Sequence, residues 1–122
     1  MRQIWIPKIG KPEVLEVREA PDPEVKEGQV RIRVKASGVN FADILARVGL
    51  YPDAPKLPTV IGYEVSGIID QVGSGITHLK EGDHVAALTR FGGYSDVVTV
   101  PAVQTFPLPQ NLSFEKAAAI PV

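Results

Sequence analysis

Hydrogen-bonding side chains, not metal ligands, are the reactive groups this sequence can gather. It has no cysteine and only two histidines, so disulfides and thiolate metal sites are excluded by composition. His78 and His84 fall on separate turn and strand positions without ligand spacing, and both read as surface loop residues. Gly73-Ser74-Gly75 and Gly92-Gly93 have no helix following them, so they are turns and not phosphate cradles. Five other polar residues, Asn40, Tyr51, Tyr63, Arg47 and Glu64, each have a local reading. Asn40 stands where a helix cap is wanted, either as a cap alone or as a cap that also faces a site. Tyr51 lies two residues past Gly49 and directly before Pro52, on a loop that can present a phenol to a cleft. Tyr63 suits core packing and a pocket border equally. Arg47 follows Asp43 by one helical turn, so it pairs with that acid or reaches a phosphate, and the pair is the simpler expectation. Glu64 has backbone donors or an arginine as its expected partners.

The elements that must position these groups are mostly strands. Gln3 to Ile6 and Val14 to Arg18 are short apolar-rich runs around Gly10-Lys11-Pro12, a pattern that predicts a hairpin. In Gln29 to Ala36, Val30, Ile32, Val34 and Ala36 alternate with Arg31, Arg33 and Lys35, which predicts a strand with one wet face. The period then changes. Asn40 as cap, Asp43 in the first turn, a stripe of Phe41, Ile44, Leu45 and Val48, and Gly49 as terminator predict a helix over Phe41 to Val48. Prolines 52, 55 and 58 make the next stretch an extended loop. Val60 to Val72 is β-prone, with Gly62 and Gly67 marking bulges or close backbone approaches. Val85 to Leu88 and Tyr94 to Val100 are further strands. Ser113 caps Phe114 to Ile120, and Lys116 in place of Glu or Gln leaves that cap single-sided.

The 122 residues fit one domain. A formal net charge of −1 argues against nucleic acid or an anionic membrane as a partner. The basic runs at Lys8 to Lys11 and Arg31 to Lys35 are interleaved with apolar residues and read as solvated faces. No apolar run is long enough to span a membrane and the start does not open a signal peptide, so a cytoplasmic home is the default. Eleven glycines and eleven prolines predict short elements joined by tight turns. The sum is a mainly β fold, a partly open barrel with a few short helices. The alanine-rich end is too short to hold as an isolated helix, and it reads as a cut within a longer protein.

Taken together, Ala36-Ser37-Gly38-Val39-Asn40-Phe41-Ala42-Asp43, Gly49-Leu50-Tyr51, Leu57 to Gly67, Val72-Gly73-Ser74-Gly75 and Glu81-Gly82-Asp83-His84-Val85 resemble the GroES-like catalytic domain of the medium-chain dehydrogenase/reductase superfamily. Val98 to Phe106 and Leu112 to Ala119 continue the likeness. Asn40 through Arg47 to Tyr51 is similar to the quinone oxidoreductases, in particular the branch of the synaptic vesicle membrane protein homologues. The resemblance implies that residues 1–122 are a GroES-like domain followed by a Rossmann domain that binds NADPH, with a later stretch returning to complete the catalytic domain.

That likeness also implies roles. Zinc enzymes of the superfamily carry a cysteine and a histidine where this chain has Asn40 and Tyr63, and a proton-relaying hydroxyl where it has Ala42. An amide and a phenol are poor zinc ligands, so no metal is expected. Tyr51 and Asn40 become the catalytic candidates, Asn40, Phe41 and Leu45 the cofactor-facing residues, and Tyr63 and Arg47 the lining of the substrate pocket. Leu45 stands where several quinone reductases carry a tyrosine near the cofactor, which weakens any preference for quinones in particular. The implied reaction is hydride transfer from NADPH to a quinone or α,β-unsaturated carbonyl, inactive in this stretch alone, with a homodimer as the implied assembly. Two rival readings are a stand-alone GroES-like binding module, which the alanine-rich end counts against, and an enoyl-reductase segment of a larger synthase, which the early start disfavours.

Overall fold

The architecture follows from one strongly alternating strand. Residues 1–121 are described in a computed structural model, and Gln29–Ser37 (β3) buries Val30 and Ile32 while Arg33 and Lys35 face water. Its neighbours are Glu64–Val72 (β4) and Val97–Pro101 (β6), with His84–Leu88 (β5) and Thr105–Pro107 (β7) beyond β4. The five-stranded sheet runs β6-β3-β4-β5-β7, and every pairing in it is antiparallel. Arg2–Trp5 (β1) and Glu16–Glu19 (β2) form the expected antiparallel hairpin. Its connection is long and includes a 3₁₀ turn at Pro12–Val14, with no tight turn at Gly10. The fold is mainly β, a sheet curled into a half-barrel, with only two short α-helices among the described residues, Phe41–Arg47 (α1) and Phe114–Ala118 (α2).

Two apolar clusters hold it together. The main one is built from Val30, Ile32, Val65, Ile69, Leu79, Val85, Ala87, Val98, Val100 and Ala102, and α2 packs on β3, β4 and β5. Ser113 caps α2 through one bond, its oxygen accepting from Lys116 N–H. The second cluster joins Ile6, Ala46 and Ile61 with Tyr51, Ala54, Leu57, Phe91 and Tyr94. It anchors α1 over the loops that form the site.

Some expectations shift. The strand anticipated from Val60 starts only at Glu64, because Gly62 takes a φ of 114° and turns the chain where a regular strand would run on. A Cβ on Gly62 would sit 2.8 Å from Tyr94 N and 2.9 Å from the Gly93 backbone, the close approach its type suggests. His84 is no loop residue. It opens β5 opposite Ile68, its ring packs on Phe114 at 4.9 Å, and its Nδ1 is buried without a hydrogen-bond partner among the described residues.

Asp96 ties β1 to the edge of the large sheet, accepting from Arg2 N–H at 2.9 Å and Arg2 Nε at 3.1 Å. The Arg2 backbone N–H, with the guanidinium adding to it against slight burial, holds this carboxyl below the ordinary aspartate value of 3.8. A depressed carboxyl contributes stability above its unfolded value and loses it as pH falls through its folded value. Acidification past that range is therefore expected to lower the melting temperature less in Asp96→Asn than in wild type. The pair is exposed, so the difference should stay below about 1 kcal/mol; equal acid sensitivity in a thermal-melt series would remove Asp96 as a contributor.

Candidate functional site

Asn40 begins α1 from an extended backbone and forms a capping box with Asp43, whose Oδ2 accepts from Asn40 N–H at 3.0 Å. The acid at this position satisfies an orphan donor and complements the helix dipole. Asp43 is only 3% exposed, and Tyr94 Oη donates to the same Oδ2 at 2.6 Å. Burial, and then the bond to Asp43, push the Tyr94 phenol well up, so it remains a donor at neutral pH. The Asn40 side chain has its own partner, Nδ2 donating to Glu64 Oε1 at 3.1 Å. Glu64 is 4% exposed and lies against Gly38, where any Cβ would overlap its carboxylate. The amide is thus fixed from two elements, α1 and β4.

Tyr51 follows the α1 terminator Gly49, which has a φ of 83° and lies against Ile9. Its ring meets Tyr63 edge-on at 6.2 Å, and Tyr63 meets Phe91 at 5.5 Å. The Tyr63 hydroxyl is buried and has no hydrogen-bond partner within bonding geometry among the described residues. Burial first, then the neighbouring Tyr51 phenol, push Tyr63 well above the ordinary range, so it too stays protonated. A buried, unpartnered hydroxyl costs free energy unless a ligand satisfies it.

Asn40, Ala42, Tyr51, Tyr63, Leu88, Arg90 and Gln104 line one cleft of about 360 Å³. The structure therefore brings three sequence-predicted residues together: Asn40, Tyr51 and Tyr63. Arg47 is placed elsewhere. Its Nη1 donates to Gly10 C=O at 2.8 Å, fastening the β1–β2 connection to α1, and no Arg47–Asp43 ion pair forms among the described residues. Phe41 is exposed on α1, and neither it nor Leu45 lines this cleft.

Arg47 lines a second, larger groove of about 650 Å³ between the hairpin and α1. Size alone would favour it as a ligand site, but most of its polar side chains already pair within the protein, Arg2 with Asp96, Gln3 with Ser95, Asp43 Oδ2 with Tyr94 and Arg47 with Gly10 C=O, while Asp43 Oδ1 has no hydrogen-bond partner among the described residues. What it offers is apolar wall, including Ile4, Leu15, Val17, Val39 and Ile44. The smaller cleft gathers Asn40, Tyr51 and the buried Tyr63 hydroxyl beside Arg90, which makes no ion pair among the described residues, and it is the candidate site. Arg90 and Tyr94 were not singled out from sequence: neither occurs in a motif, and the Tyr94–Asp43 bond spans 51 positions.

The family model for the alcohol dehydrogenase GroES-like domain matches residues 26–110. The synaptic vesicle membrane protein VAT-1 homolog of Homo sapiens is 45% identical over 106 residues, 87% of this chain and 27% of that protein. Quinone oxidoreductase 1 of Escherichia coli K12 is 43% identical over 113 residues, 92% of this chain and 34% of that protein. The crystal structure of Escherichia coli quinone oxidoreductase complexed with NADPH superposes with a TM-score of 0.91 at 40% identity, over 98% of this chain and 37% of that one. The human VAT-1 homolog-like protein gives 0.96 at 34% identity, over 100% of this chain and 40% of that one. The chain thus spans between 21% and 34% of the length of the curated relatives it matches.

Proposed function

The chain belongs to the alcohol dehydrogenase GroES-like domain family, and from that premise we propose that it binds the acceptor in an NADPH-dependent, zinc-independent reductase of quinones or α,β-unsaturated carbonyls. The observation that carries this reading is the shared cleft of Asn40, Tyr51 and Tyr63, with a buried hydroxyl that no described residue satisfies. Its volume suits a planar ring, and the relatives named quinone oxidoreductases support the reaction class. The described residues fit the reacting end of a nicotinamide cofactor only. No glycine-rich turn among them leads into a helix that could hold a pyrophosphate, so that task belongs to a further domain, and this stretch alone is inactive.

NADPH, when bound, supplies the hydride. The chain's residues do the rest by hydrogen bonding. Tyr51 donates to the acceptor oxygen as negative charge develops there, with Tyr63 behind it as a second phenol. Asn40, anchored by Glu64, orients the ring. The proton comes from solvent or from Tyr51. No zinc is required, because an amide and a phenol stand at Asn40 and Tyr63. A cytoplasmic location and a homodimeric assembly go with this reading; no described helix is long and apolar enough to cross a membrane.

The test is NADPH oxidation by the full-length protein against a quinone and an enone, before and after chelation. Turnover that survives chelation, with elemental analysis finding far less than one zinc per chain, is expected. Zinc-dependent turnover would overturn the metal-free reading, and no turnover with either acceptor would favour a stand-alone binding module.

A further inference from the structure

Arg90 has a backbone conformation that its side chain does not favour. Its φ is 58°, and among the described residues it is the one non-glycine with positive φ. Phe91 N–H donates to Thr89 C=O at 2.6 Å, closing a tight γ-type turn around it. Such turns are strained for a residue with a Cβ, and strain of this kind collects at sites where a side chain's direction matters. Glycine, the residue that would relieve it, stands two and three positions later instead, at Gly92 and Gly93.

The surroundings leave the turn no freedom to relax. Thr89 N–H donates to Tyr63 C=O at 2.9 Å, Gly92 N–H to Val60 C=O at 3.1 Å, Gly93 N–H to Gly62 C=O at 3.0 Å and Tyr94 N–H to Ile61 C=O at 3.0 Å. Thr89 Oγ1 adds a bond to Gly62 C=O at 2.6 Å. The guanidinium lies over the Phe91 ring at 5.7 Å, and that ring abuts Tyr63, which abuts Tyr51. Arg90 is exposed, makes no ion pair among the described residues, and is the single charged side chain lining the cleft. The buried acids Asp43 and Glu64 do not line the cleft; Asp43 Oδ2 accepts from Asn40 N–H and Tyr94 Oη, and Glu64 Oε1 from Asn40 Nδ2.

We propose that Arg90 is a specificity-determining residue that selects acceptors bearing an anionic group, such as a carboxylate, with the anion at the cleft mouth and the electron-poor ring turned inward to Tyr51 and Tyr63. The proposal rests on the reductase reading of this cleft. A planar guanidinium fork on an aromatic platform suits a carboxylate held bidentately, and a phosphate of the cofactor shares that chemistry.

The experiment uses the full-length protein, a neutral benzoquinone and the same ring carrying a carboxylate side chain. In Arg90→Gln, kcat/KM for the carboxylate acceptor should fall about 10- to 100-fold, with the neutral acceptor and the NADPH KM unchanged within about threefold. Arg90→Lys should recover part of the loss, and Arg90→Gly should lose selectivity while melting higher, because the strain is gone. Equal losses for both acceptors, or a loss confined to the NADPH KM, would overturn the proposal, the latter assigning Arg90 to a cofactor phosphate. Calorimetry with the two quinones reads the same preference without turnover. If wild type reduces neither quinone, the reductase reading fails; if it also binds the carboxylate no tighter than the neutral ring, the Arg90 assignment fails with it.

Discussion

Gly67→Ala should destabilise the fold by about 2–4 kcal/mol, seen as a lower urea midpoint at an unchanged slope. Gly67 lies in the middle of β4, opposite Val34 on β3 and Val85 on β5. A Cβ there would overlap the carbonyl oxygen of Arg33 and sit 2.9 Å from Ile32 Cγ2. The obstacle is the backbone of the partner strand, which cannot rotate away as a side chain can. A methyl group must push β3 and β4 apart, at the register shift between Val34 and Ala36. The separation would reach Val30, Ile32, Val65 and Ile69 in the main core. Gly75→Ala is the matching control. Its φ is 85° but nothing lies within 4 Å of the added Cβ, so it should cost only the left-handed penalty, about 1 kcal/mol. If Gly67→Ala unfolds no more easily than Gly75→Ala, the close approach of the two strands is not what limits this position.

That glycine was readable because a Gly inside a β-prone run has few other reasons to be there. The same holds for the alternation of β3 and for the capped stripe of α1, where local chemistry and tertiary demand agree. Legibility ended where distant segments decide. Thr105–Pro107 is a strand only because β5 offers it an edge, and His84 left the loop class because Ile68 pairs with it. The site divides the same way. Asn40, Tyr51 and Tyr63 were named by resemblance, and their common cleft depends on contacts between α1, its following loop and the start of β4. Arg47 looked like a partner for Asp43 on helical spacing, but Tyr94 and the Asn40 N–H already occupy the Asp43 Oδ2, and Gly10 C=O takes the guanidinium. Nothing in the string Thr89-Arg90-Phe91-Gly92 announces that the arginine, and not only the glycine, has positive φ.

Tyr51→Phe in the full-length protein should lower kcat/KM about 5- to 150-fold, the loss of about 1–3 kcal/mol of transition-state hydrogen bonding. Tyr51 is half-buried in the second apolar cluster, with its ring edge-on to Tyr63 and its backbone fixed by the bond from Ala54 N–H to Tyr51 C=O at 3.2 Å. Removing one oxygen leaves that packing intact, so folding and NADPH affinity should hold. The loss should fall on the step in which charge builds on the acceptor oxygen. Tyr63→Phe separates the two phenols. The Tyr63 hydroxyl has no hydrogen-bond partner among the described residues, so its removal should leave stability unchanged or slightly improved, and a rate loss there would make Tyr63 the donor in place of Tyr51. Asn40→Ala supplies the contrast, because it disturbs a capping box and leaves Glu64 without the Asn40 donor; it should cost about 1 kcal/mol in stability that Tyr51→Phe does not show. Should Tyr51→Phe reduce a good enone at the wild-type rate, Tyr51 only lines the cleft, and polarisation must come from Tyr63 or from the part of the protein that closes over it.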